Sequence, residues 1–170
     1  MGLTGIELGL IGRLQKVASR GPIPVAAHAL STFGEHSAGW LVVAATGVVV
    51  DSRRRSNWIG VGAAAVVAHA CAVVVKCIVR RSRPDEDAVQ VLDTTPSRLS
   101  FPSAHAASTT AAAVVMAPIV GKTVSIVLPM VMGLGRVVLG VHYPTDVVAG
   151  SALGALVGGA TLRFAHWYAR

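Results

Sequence analysis

Three short stretches of this chain carry side chains suited to binding a phosphate and breaking its ester bond. They are Lys76-(six residues)-Arg83-Pro84, Pro102-Ser103-Ala104-His105 and Arg136-(five residues)-His142-(three residues)-Asp146. Together they supply three cations, two imidazoles and one carboxylate. Phosphoryl transfer depends on positioning and charge stabilisation more than on covalent chemistry, so these residue types suit it without a metal ion.

The cations and the start of a helix are the expected phosphate-binding groups. Arginine can hold two phosphate oxygens through parallel hydrogen bonds, and lysine acts as a point charge. The Pro-Ser-Ala-His stretch precedes an apolar segment, and the free N–H groups at a helix start favour an anion. The serine hydroxyl can donate as well. We therefore predict that the phosphate is bound by Lys76, Arg83, Ser103, Ala104 and Arg136.

The two histidines permit a two-step displacement. Asp146 lies four positions after His142 and can hold its imidazole in one tautomer, as the carboxylate does in a hydrolytic triad. His142 is the predicted nucleophile, and His105 the predicted general acid and later general base. The same three residues could form a two-histidine, one-carboxylate metal site. Three nearby cations would repel a divalent ion, so we expect neither a metal nor a cofactor.

The composition places this chemistry at a membrane. Hydrophobic residues make up 53% of the chain and charged residues 14%, against nearly a quarter charged in soluble domains. The net charge is +7, but aromatic residues make up only 5%, too few for a base-stacking platform. We predict an all-α, polytopic membrane helix bundle whose partner is a membrane lipid and not a nucleic acid. The oligomeric state stays open.

The hydrophobic pattern predicts an N-terminal amphipathic helix and about five membrane spans. Residues 3–19 mix apolar and charged positions, as in a helix lying in the membrane interface. Residues 23–33 fit a short helix or a re-entrant piece. The spans are expected near residues 35–50, 57–75, 102–120, 123–141 and 146–164, each close to the length a bilayer requires. Residues 1–170 form one predicted domain, with 1–34 as its amphipathic or re-entrant segment.

Alternating spans bring all the candidate site residues to one membrane face. Basic residues in short loops mark the cytoplasmic side, and several lie on the opposite face: Arg53 to Arg55, Lys122, Arg163 and Arg170. The site is therefore predicted to face outward from the cell membrane. The basic residues Arg13, Lys16 and Arg20 fall on the outer side in this arrangement, unless 23–33 cross or re-enter the membrane.

Other polar residues have weaker indications. The acidic run Asp85-Glu86-Asp87 is typical of a solvated loop, with an anion-repelling lid as the alternative. We expect packing or interface roles for His28, His36, His69 and His166.

The three stretches resemble the type 2 phosphatidic acid phosphatase (PAP2) superfamily, whose pattern is K-x6-RP, PSGH and SR-x5-H-x3-D. The resemblance covers Lys76 to Asp146. It implies a metal-independent lipid phosphatase with His142 as nucleophile, Asp146 as its partner and His105 as acid. Two positions depart from the pattern: Ala104 replaces a glycine, and Gly135 replaces a serine, which removes one hydroxyl near the phosphate.

Within the superfamily, the short chain and the Pro-Ser-Ala-His variant look like actinobacterial phosphatases of a decaprenyl-linked phosphoribose. Those enzymes act in making the arabinose donor for the cell wall. The alternatives are a phosphatase of undecaprenyl pyrophosphate, of phosphatidylglycerophosphate or of phosphatidate. A lipid-binding or transport protein without hydrolysis, and a lipid phosphotransferase, also fit the same residues.

Overall fold

In a computed structural model, the described part of the chain forms seven α-helices. The structure describes residues 2–18, 20–84 and 89–168, and only the backbone of His166 and Tyr168. The acidic run Asp85-Glu86-Asp87, Arg170 and the side chain of His166 therefore lie outside the described residues. The helices are α1 (Leu3–Ala18), α2 (Pro22–Gly34), α3 (Ala38–Val50), α4 (Arg55–Val79), α5 (Ala104–Val120), α6 (Lys122–Val138) and α7 (Pro144–Tyr168).

The predicted all-α membrane bundle is confirmed. Within the described residues, three helical runs are long and apolar enough to cross a membrane, namely Pro22–Val50, Ser52–Val79 and Pro144–Ala165, and Ala104–Val120 is a shorter apolar helix. Each predicted span falls on a helix whose ends differ from it by about one turn at most. The count of five spans stays a prediction.

Helices α2 and α3 form one bent run. A short 3-10 turn, Glu35–Ser37, joins them, and positive φ angles at His36 and Ser37 produce the bend. Ala27 on α2 clusters with residues at the end of α6, whereas Trp40 on α3 donates its indole N–H to the middle of α5. Residues 23–33 are thus helical, and the helical run continues through the bend into α3.

Helix α5 is the centre of the bundle and packs against α4, α6 and α7. Its contact with α7 is close because Gly150, Gly154 and Gly158 face the α5 backbone. A Cβ at any of these positions would overlap a carbonyl oxygen or a side chain of α5. Small residues four apart allow helix backbones to approach in this way. The contact fixes the first turn of α5 beside the first turn of α7. There, the Ser103 N–H donates to the carbonyl of Asp146 at 2.9 Å.

Helix α1 turns two of its polar residues, Glu7 and Gln15, inward. Glu7, Ile11 and Gln15, one turn apart, are buried, and the Gln15 amide donates to the carbonyls of Gln90 and Val138. The exposed residues include the apolar Leu3, Ile6, Leu10 and Val17 together with the basic Arg13 and Lys16. The predicted amphipathic helix is present, and it lies at the same end of the bundle as the candidate site.

Candidate active site

One cavity of about 660 Å3 gathers most of the predicted site residues. Lys76, Arg83, Ala104, His105, Arg136 and His142 all line it. They come from four separated parts of the chain: the end of α4, the loop after it, the start of α5, and the end of α6 with its following turn. The remaining two predicted residues, Ser103 and Asp146, are fully buried just behind this wall.

Backbone carbonyls hold two of the cations in place. Lys76 Nζ donates to the carbonyls of Ser100 (2.8 Å) and Leu99 (3.2 Å). Arg83 donates from Nε to the carbonyl of Ser97 (2.8 Å) and from one terminal nitrogen to that of Val141 (2.6 Å). An ammonium has three donors and a guanidinium five, so each cation retains donors for a ligand. Burial and the neighbouring Arg136 lower the pKa of Arg83 to about 10, which leaves it charged at neutral pH.

Arg136 is held by a second set of partners. One terminal nitrogen donates to Asp93 Oδ2 at 3.1 Å and to the hydroxyl of Ser31. That hydroxyl donates in turn to the same Asp93 oxygen at 2.5 Å. Among the described residues, Arg136 Nε is buried without a hydrogen-bond partner. A buried donor without a partner is costly. The Nε–H of this guanidinium is therefore available to donate to an acceptor on a bound ligand.

His142 lies between a carboxylate and a cation. Its Nδ1 is 3.4 Å from Asp146 Oδ2, and its Nε2 is 3.3 Å from a terminal nitrogen of Arg83. A guanidinium can only donate, so Nε2 is the acceptor, and the proton of the neutral ring is on Nδ1, facing Asp146. Burial, followed by the charges of Arg83 and Arg136, lowers the pKa of His142 well below its ordinary value. The ring is therefore neutral, with a lone pair directed at the cationic cluster.

His105 is held from the side of α2. Its Nε2 donates to the carbonyl of Ser31 at 3.0 Å, since a carbonyl can only accept. Gly34 lies against the same edge of the ring, where a Cβ would come within 2.6 Å of Cδ2. The carbonyl and the glycine fix this imidazole at the cavity wall, and Nδ1 is the nitrogen left for proton transfer.

The start of α5 has the features of an anion site. The Ser103 hydroxyl caps the helix by accepting from the N–H of Ala106 at 3.3 Å, and the Ser103 carbonyl accepts from Ala107. The two preceding N–H groups, of Ala104 and His105, belong to residues that line the cavity. The hydroxyl of Ser103 is engaged as a cap, and its predicted bond to phosphate stays a prediction.

Several residues of the site were not singled out in the sequence. Asp93 and Ser31 hold Arg136, and Arg81 and Glu7 lie behind Asp146. His28, His36 and His69, which were expected to pack elsewhere, line the cavity. The pattern of α1 does not mark Glu7, whose face also carries the polar Gln15 and whose burial follows from tertiary packing. Nothing local marks Asp93. In the described part of the chain, no three His, Cys, Asp or Glu side chains are grouped to hold a metal ion.

Comparison with known proteins identifies the family. Residues 57–170 match the PAP2 superfamily. The chain belongs to this superfamily. It is 55% identical over 132 residues to the decaprenylphosphoryl-5-phosphoribose phosphatase of Mycobacterium tuberculosis (strain ATCC 25618 / H37Rv), covering 78% of this chain and 75% of that protein. It is 52% identical over 146 residues to the same-named protein of Mycolicibacterium smegmatis, covering 86% and 81%. The predicted PAP2-type phosphatase is thereby confirmed.

Two solved structures share the fold at 20% sequence identity. The PAP2 type phosphatidylglycerolphosphate phosphatase from Bacillus subtilis superposes with a TM-score of 0.71 over 93% of this chain and 85% of that one. LpxE from Aquifex aeolicus superposes with a TM-score of 0.72 over 96% and 99%. The first of these is a transmembrane protein, in agreement with the apolar helices described above.

Proposed function

We propose that this chain hydrolyses the 5-phosphate of decaprenylphosphoryl-5-phosphoribose through a phosphohistidine on His142. The observation that carries the mechanism is the placement of His142, with its Nε2 lone pair beside Arg83 and its Nδ1 beside Asp146. The substrate is proposed from the names of the two mycobacterial relatives, which match most of this chain at more than half identity.

In the first step, His142 Nε2 attacks the phosphorus and the bond to the ribose oxygen breaks. Lys76, Arg83 and the Nε edge of Arg136 hold the three non-bridging oxygens, where charge accumulates in the transition state. The negative charge of the bound phosphate favours the doubly protonated form of His105, which gives its Nδ1 proton to the departing ribose oxygen. Asp146 accepts a hydrogen bond from Nδ1 of the phosphorylated ring and offsets its charge.

In the second step, water replaces the histidine. His105, now neutral, accepts a proton from the water as its oxygen attacks the phosphorus and the phosphorus–nitrogen bond breaks. Inorganic phosphate leaves, and both histidines return to their starting states. No step requires an ion beyond the charges that the chain supplies.

The lining of the cavity suits a phosphorylated sugar. Next to the cationic cluster lie side-chain hydroxyls of Thr32, Thr94, Thr95 and Ser97 and the carboxylate of Asp93. Such groups hydrogen-bond sugar hydroxyls, which a glycerolipid phosphate offers in smaller number. Val73 and Leu99 add apolar wall for the lipid portion.

A substrate panel tests this proposal. Purified protein in detergent with EDTA is given decaprenylphosphoryl-5-phosphoribose, undecaprenyl pyrophosphate or phosphatidylglycerophosphate, and inorganic phosphate is measured. We expect the highest kcat/KM with the first substrate, and an acid-labile, alkali-stable phosphoprotein that is lost in His142→Ala. A preference for another lipid contradicts the substrate, and full activity of His142→Ala contradicts the mechanism. Binding without phosphate release would support a non-hydrolytic protein.

We also infer that the site faces outward. Arg53 and Arg54 lie in the turn between α3 and α4, and Arg55 and Lys122 are the first residues of α4 and α6. All four are at the end of the bundle opposite the cavity, and basic residues at short turns favour the cytoplasm. Helix α7 begins at the site and ends at that opposite end. Green fluorescent protein fused after the last residue should therefore fluoresce in intact cells, whereas a periplasmic reporter, alkaline phosphatase, should be inactive there. The reverse pattern contradicts this orientation.

A further inference from the structure

A series of linked charged side chains continues behind the predicted nucleophile. Asp146 Oδ1 accepts from one terminal nitrogen of Arg81 at 2.8 Å, and the other terminal nitrogen of Arg81 donates to Glu7 Oε2 at 2.6 Å. Glu7 belongs to α1, 74 residues away in sequence from Arg81. The order of groups is thus His142, Asp146, Arg81 and Glu7, with alternating charge along the last three.

Every member of this series has further partners that fix its geometry. Glu7 Oε1 accepts from the backbone N–H of Thr145 (3.0 Å) and from its hydroxyl (2.7 Å), which itself accepts from Arg81 (2.7 Å). The Arg81 guanidinium lies 3.8 Å from the centroid of the Tyr143 ring. The Glu7 side chain is only 3% exposed and that of Arg81 23%. The Coulomb attraction within a pair shielded in this way is stronger than that of an exposed surface pair.

Both new members are charged at neutral pH. Burial raises the pKa of Glu7, but the hydrogen bonds from Thr145 and Arg81 outweigh it and leave the pKa below its usual value. Burial lowers the pKa of Arg81, but the hydrogen bonds to Glu7 and Asp146 and their negative charges outweigh it and leave the pKa above its usual value. The linked side chains of Asp146, Arg81 and Glu7 are therefore a carboxylate, a guanidinium and a carboxylate.

The arrangement determines what Asp146 can do. Arg81 occupies Oδ1 and the N–H of Tyr143 donates to Oδ2 at 2.9 Å, so the carboxylate cannot rotate, and Oδ2 stays turned towards His142. During the reaction the imidazole becomes positive in the presence of Lys76, Arg83 and Arg136, and the fixed carboxylate is its nearest counter-charge.

We propose that Arg81 and Glu7 are positioning residues of the reaction, acting on His142 through Asp146. Through Glu7, the N-terminal helix α1 completes the catalytic machinery and does not serve only as a membrane attachment. This inference rests on the proposed role of His142 as nucleophile.

Kinetics of Arg81→Gln and Glu7→Gln test it, with Arg80→Gln as the matched control. Arg80 is the preceding arginine, and it is exposed. Loss of a residue that orients a catalytic group through another typically costs about 10- to 100-fold. We expect Arg81→Gln to lower kcat by about that factor with KM nearly unchanged. Glu7→Gln should lower kcat by about 3- to 10-fold, less than Arg81→Gln, since Glu7 is one contact further away. Arg80→Gln should stay within about twofold of the wild type.

Further measurements separate positioning from a structural role. The rate of phosphohistidine formation in a single turnover should fall in parallel with kcat. In detergent unfolding, the isosteric Glu7→Gln variant should lose less stability than Arg81→Gln, because Arg81 keeps Asp146 as a counter-charge. The double variant should be no slower than Arg81→Gln alone, because Glu7 acts through Arg81. Arg81→Lys, which keeps the charge, should recover part of the loss.

Three results would overturn the inference: kcat of Arg81→Gln equal to that of Arg80→Gln, a rise in KM with kcat unchanged, or losses that multiply in the double variant. If Arg81→Gln fails to fold, Glu7→Gln with unchanged kcat is sufficient to overturn it. All ratios are measured on whichever phosphate ester the wild type hydrolyses fastest, so a wrong substrate assignment leaves this test intact. An active His142→Ala variant would instead remove the mechanism on which it rests.

Discussion

Replacing Asp146 by asparagine is expected to remove nearly all phosphate release and to leave the bundle folded. The amide has the same shape and can still accept the hydrogen bond from the N–H of Tyr143. The backbone carbonyl of residue 146 still accepts from Ser103, and Arg81 keeps Glu7 as its counter-ion. What the substitution removes is the negative charge beside His142, together with the acceptor that Oδ1 offers to Arg81.

The size of the effect follows from the charges around the ring. Asp146 Oδ2 lies 3.4 Å from His142 Nδ1, and two unit charges at that distance attract by about 5 kcal/mol at an effective dielectric constant of about 20. This is an upper value, because an asparagine dipole replaces part of it. It corresponds to between three and four powers of ten in rate, close to the loss of about 10⁴ seen when a triad carboxylate becomes an amide.

The assay follows phosphate release and phosphohistidine formation in detergent with EDTA. We expect Asp146→Asn to lower kcat by roughly 10³-fold or more, with an unfolding temperature near that of the wild type. Asp51→Asn is the control, since it makes the same chemical change at the opposite end of the bundle, where Asp51 pairs with Arg54. An Asp146→Asn protein that retains a tenth of wild-type kcat would refute the assignment of Asp146 as the counter-charge.

Three further predictions concern the groups around the nucleophile. Gly34→Ala should lower kcat by about tenfold or more, because the new Cβ would lie 2.6 Å from His105 Cδ2 and a displacement of about 1 Å costs as much as 100-fold. Since burial and then the charge of Arg83 depress the pKa of His142 below its ordinary 6.5, phosphohistidine formation should begin to decline only below pH 6.5 in single-turnover measurements. Asp93→Ala should destabilise the protein by about 3 kcal/mol or more in detergent unfolding, because it leaves Arg136, 2% exposed, without its carboxylate.

Each of these has its own control and contrary outcome. Gly159→Ala, at a helical glycine with open space around it, should keep wild-type kcat, and an equal loss in both variants would contradict the steric argument. For His142, a decline that begins above pH 6.5 would show that the ring is not held neutral. For Asp93, a stability equal to that of Asp51→Ala would show that Arg136 does not depend on its buried partner.

The sequence predicted the helices, and the predicted site residues meet in one cavity, because both results depend on short-range patterns. Spans of the right length reverse the chain direction each time, so residues at alternate ends of successive spans must meet at one face. The predictions for Lys76, His105, Arg136 and His142 needed only this alternation and the residue types. The bend between α2 and α3 was less accessible, since it depends on positive φ angles at His36 and Ser37, which no glycine marks.

The partners of those residues were decided by the tertiary structure alone. Three arginines lie within four positions in the loop after α4, and the sequence does not indicate that Arg81 pairs with Asp146 while Arg83 contacts His142 and Arg80 is exposed. The paired residues are about 60 positions apart in the sequence. Their pairing depends on the position along the helix axes at which α5 contacts α7, which the glycine face of α7 fixes. It also depends on how α1 packs against the bundle. Hydrophobic periodicity sets which helices form, whereas the pairing of buried charges depends on distances that exist only once the helices have packed.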